Sequence, residues 1–566
     1  MANSFSSLAT PNSRLVSAEE TSILDRLKPA PRREGAARCL SGTRKDILQQ
    51  VHDWIAENQA PNILWLKGSP GAGKTAVASS LVSELGTKLG ARFFFKRDDA
   101  AVNDPVVLWR TIAFDLACTD PLFKKILVDI LRVGQRDPGG VNVQAQFRDL
   151  IHGPATTRSK YSPMRVSVIV LDALDECNRS SEHWQDLLSS INTWSQLPQS
   201  FKLLVTSRDQ HDIHQVMGDV SHCVILETGD NATSQTSLDI HLFLETRFEE
   251  IRRACPSLPP SWPGASAVQA LTNRAGGLFV WATTALDFVK KGIDPVTRLR
   301  SILTGCMGGE NRRLDFLYKQ VLEISFEGLE ADELDAFKKV VGAIVLAKIP
   351  LCKGDIHRFL CDELALHSIE GIINNLAAVV RSHSASAPLR VCHQSFTDFL
   401  LDAKRSGSFS IYRTESTTTL TLRCLRLMND RVAGLKFNIC DLETSYRLNS
   451  QVPDLEERLK EAVPSHLSYA CRFWAEHLRE LFETDIKDEI VSQLRSFLHD
   501  RVLYWFEVMS LTEEFDIASV FLQFAARWIG VSPIRMFLIG VESRHCFSRI
   551  LTGTSPHLHL MRVDML

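Results

Sequence analysis

The sequence predicts a doubly wound α/β domain on a five-stranded parallel sheet, followed by regions that are mostly helical. Three observations carry this. The stretch Gly68-Ser69-Pro70-Gly71-Ala72-Gly73-Lys74-Thr75 fits the phosphate-binding pattern G-x-x-x-x-G-K-[ST] and lies between a strand and a helix. Five short apolar runs alternate with helical segments from Ile63 to Glu227. From about residue 236 the strand signal gives way to helical spacing. With 566 residues the chain is long enough for several domains, since one core seldom grows past ~250–300 residues.

Residues 1–38 are polar and end in Pro29-Ala30-Pro31-Arg32-Arg33, which predicts a flexible lead-in. Ile47, Val51, Trp54 and Ile55 then mark an amphipathic helix that opens an NTPase domain over 39–230. Ile63–Lys67 is the first strand, and Val77, Leu81, Val82 and Leu85 mark the helix after the glycine loop. Ala91–Lys96 is the second strand. Val107, Leu108, Ile112 and Leu116 start a helical stretch that Leu122, Ile126 and Leu131 continue, and Asp137-Pro138-Gly139-Gly140 is a turn. Val166–Leu171 is too continuously apolar for a half-exposed strand and suits the middle of a parallel sheet. Phe201–Arg208 and Cys223–Glu227 complete the five.

The chemistry follows from the strand ends. Glycines let the loop from Gly68 to Gly73 turn its N–H groups toward phosphates, and the following helix adds the positive end of its dipole. Lys74 is placed on the β- and γ-phosphates of a bound nucleotide, and Thr75 offers its hydroxyl to Mg2+. Asp172, at the end of the third strand, serves the metal through water. Asp175 or Glu176 orients or deprotonates the attacking water. Arg208, at the end of the fourth strand, emerges on the same edge and is a candidate for a γ-phosphate contact.

Residues 231–312 read as a helical lid, with Ile240, Phe243, Leu244 and Phe248 on one helix, Val268, Leu271 and Ala275 on another, and Gly276-Gly277 opening a third. Over 313–410 short helices alternate with a small strand pair that includes Leu389–Cys392, just before His393. Residues 411–530 read as helical, and 531–566 as a loose tail. The net charge of −3 argues against nucleic acid as a ligand. Met1–Val16 lacks the apolar core of a secretory signal, and Val340–Cys352 is too short and too interrupted to span a bilayer. Thirteen cysteines without metal spacing suit reduced thiols in a cytoplasmic protein.

The P-loop, Asp172-Ala173-Leu174-Asp175-Glu176, Thr206-Ser207-Arg208 and His393-Gln394-Ser395-Phe396-Thr397-Asp398-Phe399 together resemble the NACHT-type (STAND-class) signalling NTPases. Cys39 to Arg44, Gly276 to Ala282 and Ser468 to Ala475 narrow the resemblance to the fungal branch with a nephrocystin-like NTPase domain. The resemblance implies a switch: ADP holds a closed monomer, ATP opens it, and the open form self-assembles. It implies a winged-helix domain over 313–410 whose His393 touches the β-phosphate of ADP, and a γ-phosphate sensor in Arg208. The implied setting is fungal non-self recognition or programmed cell death, with protein partners that the sequence does not identify. Phe279 stands where many relatives carry a proline against the adenine, and neither the effector domain nor the WD repeats usual in the branch are read in these residues. A constitutive AAA-like remodelling ATPase and a catalytically idle, nucleotide-bound scaffold are the alternatives.

Overall fold

The protein is represented by a computed structural model that describes residues 19–31, 37–133, 140, 142–162, 165–179, 181–292, 294–304, 313–382, 384, 386–444, 447–481 and 488–528. The chain falls into two compact units, residues 1–321 with His393–Ser395, and residues 322–392 with 396–566. The expected tail at 531–566 and most of the expected turn at Asp137–Gly140 lie outside the described residues.

The first unit holds five strands: β1 Ile63–Gly68, β2 Leu89–Phe94, β3 Ser167–Asp172, β4 Phe201–Ser207 and β5 His222–Leu226. All pairs are parallel, in the order β2-β3-β4-β1-β5. Leu203 in β4 sits between Ile63 of β1 and Ile169 of β3. Successive side chains of a strand point to opposite faces, and both faces are covered here. Ile63, Trp65, Ile169, Leu171, Leu203 and Val205 share a core with Leu108, Ile112, Leu127 and Leu187. Leu64, Leu66, Val168, Val170 and Leu204 share another with Val51, Trp54, Val77 and Leu81. This double burial is why the strands read as unbroken apolar runs.

The order matters for function. β3, β4 and β1 are neighbours at roughly 4.8 Å spacing, so the segments leaving their C-terminal ends start within about 10 Å of one another. In open parallel sheets that edge is where ligands bind.

Three details differ from expectation. Residues 19–25 are helical, and Leu24 and Leu27 are buried in the core that contains Trp109 and Phe123. The Ala30 N–H donates to Thr111 Oγ1 at 2.9 Å, so this part of the lead-in is folded onto the domain. Its prolines and charges hide a short apolar stripe, Ile23, Leu24 and Leu27. The helical stretch over 107–131 is two helices, Leu108–Thr119 and Pro121–Val133, because Pro121 cannot continue the first. Beyond 411, the described residues between Asn429 and Leu455 form only one short helical element, the 3₁₀ turn Asn449–Gln451.

The second unit contains helices Ala331–Leu346, Lys353–Leu360 and Leu366–Asn375, then the antiparallel pair β6 Val380–Arg381 and β7 Arg390–Val391. Helices Arg413–Asn429 and Ser465–Arg479 follow. Tyr469 packs edge-on against Phe359 with ring centres 5.4 Å apart. Among the described residues no helix is long and apolar enough to cross a membrane.

Leu204→Ala tests the central placement of β4. The side chain is fully buried, so its truncation should cost about 2–5 kcal/mol, read as a lower urea midpoint of tryptophan fluorescence. A loss below about 0.5 kcal/mol, the size usual for a surface change, would contradict a central β4.

Candidate functional site

β1 ends at Gly68 and the helix Lys74–Glu84 begins immediately after Gly73, so five residues make the turn. Gly73 has φ +99° and Gly71 φ +81°, backbone that residues with a Cβ avoid. A Cβ on Gly71 would also stand 2.0 Å from Val280 Cγ1. The general pattern leaves position 71 open; this fold does not. The loop is closed by the Ala72 N–H donating to Ser69 O at 3.2 Å. Lys74 Nζ donates to Gly68 O at 2.7 Å and Ser69 O at 3.0 Å, which brings the ammonium back over the loop. Burial pulls Lys74 down to about 8, against the pull of Asp175 and Asp172.

The acidic turn is built by one unusual residue. β3 ends at Asp172, Ala173 adopts the left-handed conformation at φ +56°, and Leu174–Glu176 form a 3₁₀ turn. That conformation costs an alanine about 1–2 kcal/mol. It is fixed from β4: Thr206 Oγ1 accepts from the Ala173 N–H at 2.9 Å and donates to Asp172 Oδ1 at 2.5 Å. Burial pushes the Asp172 carboxyl up to about 6, opposed by hydrogen bonds from Thr206 and Thr75. The Thr75 contact joins the first residues of the loop helix to the end of β3.

Asp175 is buried and engaged by Arg208 twice, with Nε 3.0 Å from Oδ2 and the Arg208 N–H donating to Oδ1 at 3.1 Å. Glu176 is half-buried, with the Arg97 N–H 3.4 Å from Oε2. Burial raises its carboxyl to about 7, helped by Asp175 and opposed by Arg97. The structure therefore brings Lys74, Thr75, Asp172, Asp175, Glu176 and Arg208 into one electrostatic group. The donor set fits a phosphate with a magnesium ion: an ammonium, a hydroxyl and a helix N-terminus, with a carboxylate behind them. Among the described residues no three His, Cys, Asp or Glu side chains form a metal cage, so such an ion would rest on Thr75, water and phosphate oxygens.

Helices that follow the sheet lie against this loop. The Val280 N–H, in the first turn of the helix Phe279–Lys290, donates to Gly71 O at 3.1 Å. Thr228 Oγ1 donates to Ser69 Oγ at 3.0 Å, and the Gly229 N–H donates to Gly276 O at 2.8 Å. Phe279 packs edge-on against Phe243 with ring centres 5.7 Å apart. Val280 and Gly71 carry no sequence signal of this pairing. His393 belongs to the same compact unit, where its Nδ1 accepts from the Ser395 N–H at 3.1 Å and Ser395 Oγ lies 2.8 Å from the Tyr318 hydroxyl.

Residues 42–208 match the family model described as Nephrocystin 3, N-terminal. The vegetative incompatibility protein HET-E-1 of Podospora anserina is 23% identical over 496 residues, 82% of this chain and 34% of that protein. The chain thus spans about a third of the length of this curated relative. Among solved structures, a signal transduction ATPase with numerous domains (STAND) and a tetratricopeptide repeat sensor from Pyrococcus horikoshii is 12% identical, with a TM-score of 0.37 over 93% of this chain and 71% of that one. Cdc6p from Pyrobaculum aerophilum is 15% identical, with a TM-score of 0.28 over 69% of this chain and 97% of that one. The loop and the sheet order give this part of the chain a P-loop NTPase fold, and over 42–208 it is similar to the nephrocystin 3 N-terminal family.

Proposed function

We propose that the chain is a nucleotide-gated switch that binds ADP and ATP with Mg2+ at the Gly68–Thr75 loop and hydrolyses ATP slowly. The observation that carries this is the Val280 N–H bound to Gly71 O, because it makes the lid and the phosphate loop share a hydrogen bond. A steadily cycling ATPase needs no such bond. The similarity to the vegetative incompatibility protein HET-E-1 supports a role in fungal incompatibility; programmed cell death, a cytoplasmic setting and assembly of the ATP form with its own copies and further protein partners belong to the proposal.

When bound, Mg2+ supplies charge neutralisation at the phosphates. Gly68–Gly73 present backbone N–H groups, Lys74 offers charge to the β- and γ-phosphates, and Thr75 and Asp172 hold the metal's surroundings in place. Asp175 is committed to Arg208, which leaves Glu176 as the acceptor of a proton from water. Arg208 is held by Asp175 at the same edge, as a γ-phosphate sensor requires. His393 contributes a contact to the β-phosphate of ADP.

Protein purified without added nucleotide should release ADP on denaturation and elute as a monomer. Lys74→Ala should abolish that retention, and His393→Ala should weaken it. An empty site with fast turnover in the unmodified chain would favour a remodelling ATPase instead.

Two pH dependences follow. Burial raises Glu176 to about 7 in the free protein, and a protonated Glu176 accepts no proton, so hydrolysis should fall as pH drops through the Glu176 titration and level off above it. Glu176→Gln should keep ATP bound without hydrolysis; unaltered turnover would move the role to Asp175. Lys74 loses its proton above about 8 in the free protein, so ADP affinity measured by calorimetry should decline as pH rises past 8.

A further inference from the structure

We infer that Arg44 is a positioning residue that couples the shape of the phosphate loop to the first lid helix; this rests on the nucleotide-switch reading above. Arg44 lies outside the glycine pattern, in the segment before the helix Lys45–Ala56. Its side chain is 2% exposed. One Nη2–H donates to Ala72 O at 2.8 Å, inside the loop. Nη1–H donates to Thr236 Oγ1 at 2.9 Å, in the lid helix Ser234–Ala254. The Arg44 backbone N–H donates to Asp239 Oδ2 on the same helix at 2.9 Å. The guanidinium also lies 5.0 Å from the centre of the Phe279 ring, next to Val280 and its bond to Gly71.

The bond to Ala72 O has a directional consequence. The Ala72 carbonyl and the Gly73 N–H belong to one planar trans peptide and point opposite ways. A donor that fixes the carbonyl on the outside of the loop therefore aims the Gly73 N–H toward the side where phosphate binds. The same guanidinium fixes Thr236, so a lid that moves away takes with it part of what orients the loop.

Two further facts mark the position. Arg44 itself has φ +56°, a conformation that costs a non-glycine residue about 1–3 kcal/mol and persists only where the surroundings impose it. Its Nε is buried with no hydrogen-bond partner, so the charge is kept out of water without full compensation.

The test uses the full chain with Arg44→Ala and Thr236→Val. Thr236→Val removes the guanidinium's bond to the lid helix together with the Thr233 hydroxyl's bond to Thr236 Oγ1, and it keeps the Asp239 bond to the Arg44 N–H and the helix cap, in which the Thr233 hydroxyl accepts from the residue 236 N–H. ADP affinity is measured by calorimetry, and amide hydrogen exchange is followed in nucleotide-free protein over 68–76 and 234–240. Both variants should weaken ADP binding by about fivefold or more and raise exchange in both segments together. Thr236→Val with ADP affinity within about twofold of the parent and unaltered exchange over 68–76 would overturn the inference. If Arg44→Ala fails to fold, Thr236→Val alone decides. If the parent chain binds no ADP, the switch reading fails, while coupled exchange in the two segments still upholds the bridge and uncoupled exchange rejects it.

Discussion

Charges withdrawn from water at the end of a buried sheet must be answered by other charges, and the edge formed by β1, β3 and β4 is organised by that requirement. Asp172 leans on Thr206 and Thr75, and Asp175 on Arg208. Lys74 has two carbonyls of its own loop and the field of the nearby carboxylates. Compensation is incomplete for three of the charges at this edge: Asp172 and Glu176 are raised, and Lys74 is lowered, all chiefly by burial. Buried groups perturbed in this way at one sheet edge mark a candidate site for an anion and a divalent cation.

The backbone around this edge is equally constrained. Ala173 and Arg44 both occupy left-handed conformations, and both are fixed from another segment, Ala173 by Thr206 of β4 and Arg44 by Asp239 of the helix Ser234–Ala254. Gly71 is held in the same way by Val280 of the helix Phe279–Lys290, through its carbonyl and through the space a side chain would need. The loop is thus shaped from outside as much as by its own glycines.

Much of this was legible in the sequence where the signal is local. The strands stood out because burial on both faces makes them continuously apolar, and Lys74, Thr75, Asp172 and Glu176 stood out because each sits at a fixed offset from a strand end. Pairings between distant segments were not legible. Arg44 meets Asp239 across 195 positions, and nothing in either neighbourhood encodes the other. The commitment of Asp175 to Arg208 had no sequence signal either, although both residues were recognised separately. Residues 19–31 were misread because prolines and charges outweigh three apolar residues in composition, while in the fold those three decide.

That last segment redraws the working limits of the domain. The family match begins at residue 42, yet Leu24 and Leu27 fill part of the core on one sheet face, and the strap is fastened by ion pairs from Glu20 to Lys124 and from Glu19 to Arg132. A recombinant fragment cut at the homology boundary would strip a hydrophobic cover from the helices Leu108–Thr119 and Pro121–Val133. It would be sticky in solution for a reason unrelated to nucleotide, and a fragment begun before residue 19 would avoid this.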